Sequence, residues 1–427
     1  FENGDREESY TLYSLYERRG LLVHGSASNR NKRIPTGSYG TLFNDNGSYT
    51  NDARSFLEAA GEKPLGRNWT LNARGYWDWY RYDADYVYVH DAPNKDLGRN
   101  QWVGEEVRAT YAGWGRDNTF MIGQDGEKNL EALQRNHTEM PFALNLNSNK
   151  KNHRWALFAQ QELKVRENLR VTLGLRFDRF LQFGNTVNPR TAVVWNPWDD
   201  GTLKLLYGSA FRAPIPYELY YNSAGYEENP ALKPETVRTY EAVYEHRFAR
   251  TAWASVSYFR SEVRNLITQV TNANGNLQFV NRESILTDGG ELAARAELGR
   301  GMAARLAYSL QRTHERGGDR LTNSPTHTGT AGLSKRFYAH DASAALECFF
   351  VSSRRTVRAT TLAPTTTLSL NLRARPWRGS LSVYAGFFNL TDADYRAAPG
   401  NELTQDAISM DGRNFNAGLE YRFGGRR

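Results

Sequence analysis

The chain has 427 residues, a formal charge of +7, a pI of about 9.3 and a mean hydropathy of −0.68. That length admits two or three soluble domains or one large barrel. No apolar run approaches the roughly 18 residues of a transmembrane helix, which leaves open a membrane β-barrel, whose alternating strands average out as polar. The single cysteine, Cys348, excludes an intrachain disulfide and a cysteine metal cluster.

Phe1 is followed by no charged start and apolar core, so no secretion signal is legible. From there period-2 patterns dominate and helix-period patterns are scarce. The first alternating run lies near Ser9–Glu17. Further along, Leu169, Val171, Leu173, Leu175 and Phe177 alternate with Arg170, Thr172, Gly174, Arg176 and Asp178. Leu292–Leu298, Leu381–Phe388 and Asn414–Phe423 behave alike. Each run is roughly ten residues, the length with which a tilted strand crosses a bilayer.

Connections alternate between short and long. Arg18–Gly20, Lys63–Asn68, Arg166–Asn168, Asn196–Gly201, Ala249–Thr251, Gly299–Met302 and Pro376–Gly379 are short. Arg30–Asn51, Tyr82–Gln101, Asn129–Asn152, Phe211–Glu235, Arg264–Asp288, Ser353–Pro364 and Asn389–Arg413 are long. Outer-membrane barrels have short periplasmic turns and long external loops, with aromatic girdles at both interfaces. Trp69, Trp77, Trp79, Trp102, Trp155, Trp195, Trp253 and Trp377, near strand ends, fit such girdles.

These patterns predict an all-β, transmembrane antiparallel β-barrel of about 19 strands. The first and last strands both run towards the short turns. Bacterial single-chain barrels have even strand numbers, so residues 1–427 read as a barrel domain truncated at its N-terminus. Three more strands give about 22, the size that holds a plugged lumen.

Several segments then resemble one family. "GSAFRAP" (Gly208–Pro214) with "NPALKPE" (Asn229–Glu235), "NLTDADY" (Asn389–Tyr395), "DGR" (Asp411–Arg413) and "LEYRF" (Leu419–Phe423) resemble the barrel of TonB-dependent outer-membrane receptors. "KRIPTGSYGTLFND" (Lys32–Asp45) and "VNPRTAVVWNP" (Val187–Pro197) look familial too. The resemblance implies a bacterial outer-membrane location, a 22-strand barrel and a plug domain that this sequence lacks. It implies a monomer that touches outer-membrane lipids and takes up a scarce nutrient with energy from the TonB complex acting through the plug. A ferric siderophore is the expected cargo, cobalamin the alternative, and a passive porin-type barrel the reading from another class. The family's haem receptors place a histidine between the paired motifs, and none lies between Phe211 and Glu235.

Tyr217, Tyr220, Tyr221 and Tyr226 on the long aromatic loop are ligand-binding candidates, because a phenol offers an apolar face and a polar tip. They also suit the outer girdle. Tyr82, Tyr86 and Tyr88, with Trp102, form a second such set. Arg354 and Arg355, with Arg358, could attract an anionic chelate or meet lipid phosphates. His137, His314 and His327 read as solvated loop residues. "NDNGSYTND" (Asn44–Asp52) offers oxygen ligands for calcium but lacks EF-hand spacing. No catalytic set, resident cofactor or metal site is expected, and Lys and Arg are too dispersed for nucleic acid.

Overall fold

The computed structural model describes residues 4–423, apart from 89–92, 114, 116, 224, 283, 317, 319, 339–340, 378–379 and 401. Among the described residues twenty strands join in one antiparallel sheet, nearly all bonded to their chain neighbours. Ala143–Asn149 and His153–Arg166 both pair with Thr119–Thr138, one above the other, and act as a single stave. Among the described residues the barrel wall therefore has nineteen staves, in line with the about 19 expected from the alternation. Internal strands other than Ala143–Asn149 are paired on both sides, which satisfies the backbone groups that lipid cannot. Glu7–Arg18 pairs with Leu21–Arg33, and Asn414–Tyr421 with Leu381–Phe388. Neither has a strand on its other edge among the described residues. Their external loops nevertheless meet: Tyr39 N donates to Glu402 O (2.6 Å) and Gln405 Nε2 to Thr36 O (3.1 Å).

The short connections are tight because the chain supplies left-handed residues where needed. Arg19 and Gly20 take φ of 49° and 79° between Glu7–Arg18 and Leu21–Arg33. Positive φ at both central positions is the turn whose twist matches a hairpin.

Period 2 separates the two faces. In Leu169–Phe180, Leu173 and Leu175 point out and are about half exposed, whereas Arg176 and Asp178 point inwards. The outer band is bounded by rings: Trp195 lies opposite Leu169, and Trp155 opposite Arg179. Trp69, Trp198 and Trp253 also stand exposed near short turns. Two expectations change. Trp102 shares the inward face with Gly104 and Asp96 and lines the lumen instead of a girdle. Tyr82–Gln101 and Asn129–Asn152 are mostly ladder: the strands run on to Val87 and Thr138 and return at Pro93 and Ala143. Their alternation continues above the bilayer, where one face still covers the interior. The side chain of Trp377 lies outside the described residues.

The inner wall is charged but internally paired. Arg154 Nη1 donates to Asp125 (2.5 Å), Arg176 Nη2 to Asp125 (2.7 Å) and to Asp178 (2.8 Å), and Arg54 bridges Asp78 (2.6 Å). Tyr76 lies across Gly104 on the next strand, and its hydroxyl donates to Glu127 one strand further (3.1 Å). A Cβ at Gly104 would overlap that ring. Gly104→Val is therefore expected to push Tyr76 off Glu127 and cost about 1–3 kcal/mol. Thermal unfolding of the purified barrel checks this, and an unchanged midpoint would show that the ring relocates freely.

Candidate functional site

The segment 213–234 is folded, not slack. Ile215 caps the short helix Pro216–Tyr220: Pro216 supplies a preset φ at the first turn, and Glu218 reaches back to accept Ile215 N (2.9 Å). One turn of helix places Tyr217 and Tyr221 on one side. Leu219 goes to the other, into a cluster with Leu232 and Ile267, against Phe183, Tyr220 and Phe279. Tyr226–Glu227 joins Leu277–Asn281 and Ile267–Thr271 as a small three-stranded sheet, so two external loops form one lid-like body. Asn229 Nδ2 donates to Phe279 O (2.8 Å) and Asn281 Oδ1 accepts Lys233 N (2.8 Å), which fixes the two together.

Beneath this body lies a cavity of about 1620 Å³ at the external end of the barrel. Tyr39, Tyr80, Tyr82, Tyr86, Tyr88, Tyr217, Tyr221 and Tyr226 line it, with Trp102, Asp96 and Glu402. Tyr221 stands between Tyr217 and Tyr226, at ring-centroid distances of 4.8 and 5.3 Å. Tyr39 meets Tyr86 edge-on at 5.8 Å, and the hydroxyls of Tyr82 and Tyr86 are 2.5 Å apart.

Asn136, 1% exposed, ties the aromatic body to the wall. Its amide donates to Asn94 Oδ1 (2.6 Å) and Asp96 Oδ1 (3.0 Å), and its carbonyl accepts from Asn145 (2.8 Å) and Ser223 (3.3 Å). Tyr221 donates its hydroxyl to the same Asp96 carboxylate, at 2.9 and 3.1 Å. Burial raises the loop phenols Tyr39, Tyr88, Tyr217 and Tyr221 above their ordinary range, and neighbouring acidic groups add to it. Tyr226 is pushed up to about 12, first by burial and then by nearby Tyr88, Tyr39 and Asp96. These phenols are neutral donors and aromatic faces at physiological pH. The set can grip a large ligand by stacking and hydrogen bonds.

The structure gathers Tyr82, Tyr86, Tyr88, Tyr217, Tyr221 and Tyr226 at this one cavity; the tip of the second aromatic segment, 89–91, lies outside the described residues. Tyr220 is not there: its ring packs on the apolar cluster, with Lys150 Nζ 5.6 Å from its centroid. Arg354 and Arg355 are also elsewhere. They form a two-residue strand paired with Thr361–Leu362; Arg354 donates to Arg396 O (2.8 Å), and the Arg355 carbonyl accepts Asn323 N (2.7 Å). Arg358 reaches the cavity from that same segment. Tyr39, Asp96 and Glu402 are lining residues that sequence reasoning missed. In Asn44–Asp52, Asp45 Oδ1 accepts Gly47 N (2.7 Å), a local turn bond. No cluster of three His, Cys, Asp or Glu residues suited to a metal occurs among the described residues.

The fold and the sequence both have known counterparts. The family model described as TonB dependent receptor-like, beta-barrel, matches residues 2–390. The chain is similar to the ferrienterobactin receptor of Escherichia coli K12, with 25% identity over 377 residues, 77% of this chain and 49% of that protein. It thus spans about half the length of that relative. Among solved structures, the copper transporter OprC superposes with a TM-score of 0.80 at 17% identity, covering 98% of this chain and 72% of that one. The ferric enterobactin receptor PfeA of Pseudomonas aeruginosa, in complex with enterobactin, gives 0.78 at 17% identity, covering 97% and 70%. These two likenesses establish the architecture alone. With the two-faced strands, the short and long connections and the family model in agreement, the chain belongs to the TonB-dependent receptor family and is an outer-membrane β-barrel.

Proposed function

We propose that this barrel belongs to a receptor that takes up a ferric siderophore, with energy delivered by the TonB complex through a plug domain. The cavity carries the reading. Its external mouth is walled by phenols from several loops and strands, a lining that suits a bulky organic chelate. Stacking faces and neutral donors grip an organic shell and leave the iron to its own ligands. The relative named a ferrienterobactin receptor supports an iron cargo.

Growth tests this. Cells deleted for the gene, grown under iron limitation, should fail on one ferric chelate and recover it when the gene is restored. Uptake of radioactive iron from that chelate should stop when the proton-motive force is collapsed. Normal growth of the deletion strain on every chelate tried, together with loss of growth on cobalamin, would transfer the reading to cobalamin.

A further inference from the structure

We propose that the cavity selects ferric chelates that present a protonated amine, and disfavours polyanionic tris-catecholates. This deepens the siderophore reading and rests on it.

The charges around the cavity carry the argument. Three of the four arginines that line it already hold a carboxylate. Arg154 holds Asp125 and Glu127, Arg176 holds Asp125 and Asp178, and Arg212 holds Glu218 and Glu235. Arg358 makes no ion pair among the described residues: its guanidinium donates to Leu403 O (3.3 Å), and Asp406 lies near it, held below its ordinary range by Thr356 and Thr360 and then by Arg358. Asp96 differs. No Lys or Arg pairs with it among the described residues; its donors are the neutral Tyr221 hydroxyl and Asn136 amide. Glu402, on the loop facing it, likewise makes no ion pair among the described residues, and it lines the same cavity. Among the described residues the cavity therefore holds two carboxylates without an ion pair, Asp96 and Glu402, against one such guanidinium, Arg358, which has Asp406 near it. Burial raises Asp96 above its ordinary range, a cost that an ammonium partner would offset.

The phenol rings point the same way. A ring face is the negative pole of its quadrupole, and ring clusters around a carboxylate attract ammonium groups. Asp96 Oδ1 accepts from Asn136 and from Tyr221 and Oδ2 from Tyr221, and a carboxylate has about four acceptor directions, so one on Oδ2 stays open. Room is left for an ammonium donor. A tris-catecholate ferric complex brings three negative charges to this end and meets the carboxylates of Asp96 and Glu402 there.

Three probes test the proposal: the ferric complex of a linear tris-hydroxamate with a terminal amine, the same chelate N-acetylated, and a ferric tris-catecholate. Each is bound to outer membranes from cells carrying the gene, with membranes of the deletion strain as background. The amine form should bind about tenfold more tightly than the other two. In Asp96→Asn that advantage should fall at least threefold. Glu402→Gln, at an exposed loop position, should reduce it in the same direction if Asp96→Asn fails to assemble. Tightest binding of the catecholate, or indifference to acetylation, overturns the charge selection and leaves the iron reading standing. Binding of none of the three overturns both.

Discussion

Leu173→Arg should destabilise the barrel in lipid by about 2–4 kcal/mol, the cost of a cation on the lipid face at the bilayer midplane. The depth follows from register. Leu169 lies opposite Trp195 and Arg179 opposite Trp155, so the two rings mark the ends of the crossing and Leu173 falls between them. Its side chain is 47% exposed on a surface shared with Leu175, Leu157 and Leu205. Leu419→Arg makes the contrast. It is 75% exposed but lies two residues from the end of Asn414–Tyr421, on a strand paired on one side among the described residues. A long guanidinium can snorkel from there to the interface, and the cost should drop to about 0–1 kcal/mol. Equilibrium refolding into vesicles of one lipid, by denaturant titration, measures both. Equal effects at the two sites would show that the depth assignment is wrong.

The same register explains what the sequence made legible. Period-2 alternation is local, so the stave number, the facing of Leu173 and Arg176, and the direction of the first and last staves could all be read from short runs. Strand ends could not. Nothing in "YRYDADYVYVHD" marks where the bilayer stops, because the alternation continues into water with Asp83 and Asp85 outside and Tyr82 and Tyr86 inside. The cavity was legible only in part. Tyr217, Tyr221 and Tyr226 stood out as aromatics in a proline-rich loop, but Tyr220 separates from them through one turn of helix, too short for any hydrophobic period. The cue was present: Pro216 followed by Glu218 after Ile215 is a helix start. Asp96 had no cue. In "NKDLGRNQW" a carboxylate reads as solvated, and only the return of Tyr221 from far along the chain buries it. Tyr39 and Glu402 come together across the two ends of the sheet, a contact no local pattern encodes.

Arg212→Met should loosen the whole aromatic body while the barrel stays intact. Arg212 ends its strand directly opposite Glu235, where the segment 213–234 leaves and rejoins the wall. Its guanidinium forks onto Glu235, Nε at 2.6 Å and Nη2 at 3.0 Å, and Nη1 donates to Glu218 at 3.0 Å. The two acids are themselves engaged: Glu218 accepts Ile215 N at the helix start, and Glu235 accepts Ile267 N (2.7 Å) at the base of the next loop. One cation thus joins the helix, the strand pair and the neighbouring hairpin. Exposed pairs are worth about 0–1 kcal/mol and stripping a buried pair costs about 3–5 kcal/mol. Arg212 is half exposed while Glu218 is nearly buried, so a loss of about 2 kcal/mol is expected. Confined to the loop, that lowers chelate affinity by at most about 30-fold, because Tyr217, Tyr221 and Tyr226 must then be ordered on binding. Arg212→Lys should recover little, since a point charge cannot span two carboxylates bidentately. Arg212→Met with Glu218→Gln should recover part, because one uncompensated charge is removed. Hydrogen exchange reads the effect directly: amides of 213–234 and 265–282 should exchange faster together in Arg212→Met, with the strand amides unchanged. Unaltered protection in both loops would mean that the apolar cluster around Leu219, Leu232 and Ile267 holds the body without the clamp.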